Sequence, residues 1–166
     1  RPRDWSSDVC SSDLLLPQVV GAVKVPVIAA GGIVTAASVK AAKALGAAAV
    51  QVGTAFLLAP EATTSAVHRE ALRRAQGHET ALTRLFSGRP ARGIYNRLMQ
   101  TLGPMSDLAP AFPLATAALA PLRAAAEARG LPDFSPIWAG QHLAAVREKP
   151  AADLVAELSR AWHAAG

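Results

Sequence analysis

Val25-Pro26-Val27-Ile28-Ala29-Ala30-Gly31-Gly32 and Ala47-Ala48-Ala49-Val50-Gln51-Val52-Gly53-Thr54 are two short apolar runs, each closed by glycine. Runs of this length without polar alternation suit parallel strands buried on both faces. Between them, Thr35 is placed to cap a helix running through Leu45, and Gly46 to stop it. Before them, Leu15, Leu16, Val19, Val20 and Val23 fall at helical spacing, so a helix is expected over 15–25, stopped by Pro26. After them, a helix is expected over 61–76. Strand, helix, strand and helix at this spacing form a βαβα unit, whose parallel strands require a right-handed crossover.

The chemistry-bearing feature is the pair of strand ends. Gly31-Gly32 and Gly53-Thr54 close successive strands and open successive helices. Glycine lets backbone amides approach an anion closely, and a helix N-terminus adds partial positive charge. The Thr54 hydroxyl supplies a neutral donor. Two such ends side by side suit a grip on a phosphate monoester, which (β/α)8 barrels often bind at the last two strands. The plainer alternative is that these glycines only make tight turns in a generic α/β domain.

Downstream the pattern changes. Residues 79–86 read either as a strand or as the start of a helix, and Ser87-Gly-Arg-Pro-Ala-Arg-Gly93 reads as a loop. An Ala-rich helix is expected over 113–129, ending at Gly130, then a loop through Pro136. A short helix over 142–147 and a last one over 151–164, after Pro150, complete the reading.

Composition bounds the rest. The 166 residues are 51% hydrophobic and 17% charged, whereas a complete (β/α)8 barrel needs about 250 residues. Any barrel here is therefore part of one. The formal net charge of +5 comes from scattered Lys and Arg, with no basic run interleaved with aromatics, so no nucleic-acid partner is expected. No apolar run reaches membrane-spanning length and no signal peptide is evident, which gives a soluble, cytoplasmic expectation without membrane contact.

Residues 1–14 differ from the remainder. They are Ser- and Asp-rich, repeat Ser-Ser-Asp, and Asp4 to Leu14 resembles the translation of a short-read sequencing adapter. They are read as a disordered, non-native stretch with the natural protein continuing upstream, and Cys10 within them carries no redox or metal inference.

Val25–Ile33, Ala44-Leu-Gly46 and Val50-Gln-Val-Gly-Thr-Ala-Phe56 together resemble the flavin-phosphate region of nitronate monooxygenases, formerly called 2-nitropropane dioxygenases. Phe86-Ser-Gly-Arg-Pro-Ala-Arg-Gly-Ile94 and Trp138-Ala-Gly-Gln141 resemble that family's downstream blocks. The first block alone is shared with flavin-dependent enoyl-ACP reductases. The resemblance, from about Leu15 to the C-terminus, implies the last βα units of an FMN-binding (β/α)8 TIM barrel over 15–76. It implies a small, mostly helical cap or substrate domain over 77–149, and a C-terminal helix over 150–166 returning to the barrel. It further implies non-covalent FMN as cofactor, an alkyl nitronate or nitroalkane and O2 as small-molecule partners, and compatibility with a homodimer. Gly32, Gly53 and Thr54 match phosphate-binding positions, with Gly31 and Gln51 beside them, and Gln141 is a flavin or substrate contact or else the cap of helix 142–147. The family's general base is a histidine in a Gly-Gly-His block about one strand upstream of Leu15, so no catalytic residue is assigned within this chain.

The remaining candidates carry two readings each. Arg89 and Arg92 suit an anion or carbonyl oxygens in their own loop. Tyr95 suits a substrate cavity or packing against Leu98. His142, in a polar loop, reads as solvated, and His68 and His78 lack a third ligand, so no metal site is expected. The competing classes are a phosphosugar-type barrel without flavin and an inert fragment.

Overall fold

The computed structural model describes residues 11–75 and 79–165, so the expectation for residues 1–10, Cys10 included, and His78 lie outside the described residues. The chain forms two compact units, one of the described residues up to Ala62 with those from Ala145 on, the other Thr63–Ala144. The division falls earlier than 77 and 150, so the stretch 63–75, expected with the barrel, belongs to the second unit.

In the first unit, helix α1 spans Ser11–Ala22. It begins ahead of the expected Leu15, taking in positions 11–14, and ends before Val25, with Val23 N–H closing the last turn on Val19 O at 3.1 Å. Strand β1 is Ile28–Ala30 and strand β2 is Ala49–Gln51. They pair in parallel, with Ile28 opposite Ala49, Ala29 opposite Val50 and Ala30 opposite Gln51. Both are shorter than the apolar runs that announced them. Pro26 has no N–H to give a ladder, and the pairing is extended backwards only by Ala48 N–H on Val27 O at 2.8 Å.

Helix α2, Ala36–Ala44, joins the strands. Thr35 caps it as expected, accepting from Ser38 N–H, and Ser38 returns a bond to the Thr35 backbone. At the other end Gly46 takes φ +94; its N–H bonds Lys43 O at 3.0 Å and Ala47 N–H bonds Ala42 O at 3.1 Å. This paired closure by a left-handed glycine is a Schellman motif. Helix α6, Ala151–His163, packs on α2. Leu158 and Ala161 join Leu16, Ile33, Val39, Ala42 and Ala47 in one apolar core, where burying a side chain the size of Val39 or Leu158 contributes about 1.5–3 kcal/mol.

One expectation fails here. β1 is not buried on both faces: Ile28 is 61% exposed and Val25 68%. A two-stranded sheet offers β1 one neighbour and one covered face, so the Val/Ile-rich run meets solvent on the other.

The helix expected at 61–76 starts later. β2 leads through Gly53 into a 3-10 turn at Thr54–Leu58, and helix α3 spans only Ala66–Arg74, because Ser65 accepts from His68 N–H and so sets its start. In the second unit, the ambiguous segment after 79 resolves as strand β3, Thr80–Thr83, antiparallel to β4, Ala91–Ile94. The last three residues of the expected 87–93 loop are therefore strand. Gly88 turns the hairpin at φ +85, where a Cβ would lie 2.4 Å from the Phe112 backbone nitrogen. Helix α4, Arg97–Leu102, was not expected; Asn96 caps it by accepting from Met99 N–H. Helix α5 is Leu114–Glu127, and the segment expected as helix 142–147 is a 3-10 turn at Leu143–Ala145. Leu85, Phe86, Leu98, Met99 and Ala109 form this unit's core, with Phe86 edge-on to Trp138 at 5.7 Å. No described helix is long and apolar enough to cross a membrane.

Candidate functional site

The parallel register decides what the strand ends do. Ala30 and Gln51 are the last paired positions, so Gly31-Gly32 and Val52-Gly53-Thr54 leave the same end of the sheet side by side. Five of the sequence-derived candidates, Gly31, Gly32, Gln51, Gly53 and Thr54, are thus brought together on one unit. Gln141 belongs to the other unit, exposed in the turn ahead of Leu143.

The glycines have different physical reasons. Gly31 and Gly32 take φ +94 and +69, a left-handed backbone that strains any residue with a Cβ. Gly53 has φ −116, open to every residue, and a Cβ there would meet nothing within 4 Å. Nothing described in the chain therefore requires glycine at 53. A Cβ at 31 or 32 would likewise meet no atom within 4 Å, so the three positions form an open cradle. Backbone amides and a threonine hydroxyl are donor types that a phosphate monoester takes.

One part of the expected grip is altered. The amides leading into α2 are held by its cap: Val34 N–H and Thr35 N–H bond Ser38 Oγ at 3.1 and 3.0 Å, and within the helix Ser38 N–H bonds Thr35 Oγ1 at 3.2 Å. After Gly53 the chain enters a 3-10 turn at Thr54–Leu58, ahead of the stretch where the helix over 61–76 is expected. Ser38, absent from the sequence-derived set, could have been found from its position three residues after Thr35, the spacing of a capping box.

An apolar cavity of about 330 Å³ adjoins the Gly31-Gly32 end, between α1, β1 and α2, with Leu15, Leu16, Ile28, Ile33, Ser38 and Leu45 among its lining residues.

The other candidates separate into structural and uncommitted groups. Arg92 reaches Thr80 O and Oγ1 at 3.4 and 3.2 Å across the hairpin, and Arg89 stacks 4.4 Å over the Phe112 ring. Both contacts favour the structural reading. Tyr95 is 46% exposed, its hydroxyl 3.5 Å from Met99 O. His68 is half-buried, and its Nε2–H donates to Trp138 O at 3.0 Å. Burial pushes its pKa below the usual 6.5, and Arg123 acts the same way, against the Trp138 bond. His142 and His163 are exposed. Among the described residues no three His, Cys, Asp or Glu side chains are grouped to hold a metal ion.

A family model described as nitronate monooxygenase matches residues 6–160. Nitronate monooxygenase from Pseudomonas aeruginosa is 47% identical over 134 residues, 80% of this chain and 38% of that protein. A probable nitronate monooxygenase from Bacillus subtilis is 38% identical over 135 residues, 81% of this chain and 39% of its own length. Among solved structures, nitroalkane oxidase from Streptomyces ansochromogenes matches with TM-score 0.82 and 41% identity, covering 98% of this chain and 47% of that one. FabK from Thermotoga maritima matches with TM-score 0.70 and 26% identity, over 92% of this chain and 49% of that one. The chain thus spans about two fifths of the length of these two curated relatives.

Proposed function

The chain belongs to the nitronate monooxygenase family, and from that membership we propose that it is the phosphate-holding part of an FMN-dependent (β/α)8-barrel oxidoreductase that oxidises alkyl nitronates with O2. The observation that carries the reading is the cradle at Gly31, Gly32 and Gly53, open to a Cβ at all three positions and built on adjacent parallel strand ends. Gly32, Gly53 and Thr54 hold the FMN phosphate and Gly31 and Gln51 flank it, while Gln141 is kept as a flavin or substrate contact on its resemblance to the family's downstream block alone. Flavin, when bound, supplies the electron transfer; the protein's part is to bind and orient it. When the substrate is the neutral nitroalkane rather than the nitronate, its proton α to the nitro group is taken by a histidine in the segment ahead of Leu15 in proteins of the relatives' length, so this chain contributes the anchor and the cap.

A second reading, a flavin-dependent enoyl-ACP reductase, draws on the FabK likeness at 26% identity. The higher identity to the nitroalkane oxidase, 41%, favours the first. A protein of the relatives' full length carrying this chain is expected to purify yellow and to release FMN on denaturation. It should consume O2 with an alkyl nitronate and leave NAD(P)H untouched in the presence of an enoyl thioester. Release of FAD or of no flavin, or NAD(P)H oxidation without nitronate turnover, would overturn the proposal.

A further inference from the structure

We propose that Ser38 is a positioning residue for the phosphate cradle, acting through the backbone of the loop 31–35. The inference rests on the reading of Gly31, Gly32 and Gly53 as that cradle. The loop leaves β1 at Ala30, whose place is fixed by pairing with Gln51, and enters α2 at Thr35. Two left-handed glycines lie between these ends. Such residues have more conformational freedom than any others, so their arrangement depends on how firmly the loop is held at each end.

The exit end is held by one hydroxyl. Ser38 Oγ accepts from Val34 N–H at 3.1 Å and Thr35 N–H at 3.0 Å, and donates to Thr35 O at 2.8 Å. A single side-chain oxygen thus ties two consecutive loop amides to the first turn of α2. The same bonds commit those two amides internally. Ser38 also lines the cavity beside Gly31 and Gly32, so its hydroxyl stands next to the segment it restrains. The capping box accounts for Thr35 Oγ1 on Ser38 N–H and for Ser38 Oγ on Thr35 N–H; the bond from Val34 N–H is additional to it.

The test is the preference of the chain for FMN over riboflavin, which reports the phosphate alone, both flavins being titrated over one range within the aqueous solubility of riboflavin and followed by flavin fluorescence. The wild-type chain is expected to prefer FMN by at least about tenfold, as charge-assisted hydrogen bonds to a phosphate provide. Ser38→Ala is expected to bring that preference within about twofold, and Ser38→Thr, which keeps the hydroxyl, to restore it. A general loss of fold would weaken both flavins together, so the ratio separates positioning from stability. If Ser38→Ala does not fold, Ser38→Cys, near in size but a weak acceptor, is expected to lower the ratio in its place. A wild-type preference retained in Ser38→Ala or, where that variant does not fold, in Ser38→Cys would overturn the role of Ser38. A wild-type chain with no preference for FMN would overturn the cradle itself.

Discussion

Gly53 and Gly88 show why a glycine must be read from its backbone before it is read for function. In the sequence both look alike, small residues at the ends of apolar or turn-rich segments. Gly88 is explained from within: φ is +85, and a Cβ would press on the backbone of Pro110, Ala111 and Phe112. Gly53 is not explained from within, since its φ of −116 admits any residue and its Cβ direction is open. The difference was illegible from sequence because it depends on φ and on distant chain segments. It also gives a clean substitution. Gly53→Ala is expected to leave the thermal midpoint within the scatter of surface changes, about ±0.5 kcal/mol. FMN affinity is expected to fall by about tenfold as the methyl displaces the phosphate. Gly31→Ala serves as the contrast, because its φ of +94 adds a stability cost of about 1–2 kcal/mol. Wild-type FMN affinity in a folded Gly53→Ala chain would remove Gly53 from the site.

At the scale of elements, what could be read in advance was whatever local chemistry fixes. Thr35 at the start of α2 and Gly46 at its end were legible because a hydroxyl cap and a left-handed stop act within a few residues. The sequence of β3 admits strand or helix because its identity depends on pairing with Ala91–Ile94, a partner set by the Gly88 turn. The late start of α3 follows from the Ser65 cap, and it places His68 where its ring meets Trp138 O. That contact has a pH consequence. The folded pKa of His68 lies below 6.5, so the folded state resists a proton that the unfolded chain accepts. Stability from the neutral ring is complete above about pH 6.5 and is lost as pH falls below it. Glu127, lowered from 4.5 mainly by the Ser135 hydroxyl and then by Arg123, contributes stability above 4.5 that is lost as pH falls through its folded pKa. The second unit should therefore weaken in two acid steps. In urea titrations between pH 8 and 5, His68→Gln is expected to flatten the upper step while its amide keeps the bond to Trp138 O. An unchanged pH dependence in that variant would show that His68 does not set it.

For the whole molecule, the misjudged property is the most informative one. The sequence of β1 reads as buried on both faces, and the pattern is right for a parallel sheet flanked by further strands and helices. The described chain pairs β1 only with β2, leaving Leu15 at 60%, Val25 at 68% and Ile28 at 61% exposure. Apolar surface of this kind beside an open strand edge favours association. The relatives from Pseudomonas aeruginosa and Bacillus subtilis are matched over only 38% and 39% of their lengths, so each carries much more chain than the part this chain matches. From these two facts we expect the 166-residue chain by itself to bind an apolar dye and to self-associate as its concentration rises. We also expect it to leave alkyl nitronate unoxidised, since the first unit's one described histidine, His163, is exposed in the last turn of α6. Joined behind a segment of the relatives' upstream length that includes the Gly-Gly-His block, the same residues should lose dye binding and gain O2 consumption with nitronate. Light scattering, dye fluorescence and an oxygen electrode read the three outcomes. A monodisperse, dye-silent chain, or nitronate turnover by the chain alone, would mean that its strands and its chemistry are complete without that upstream segment.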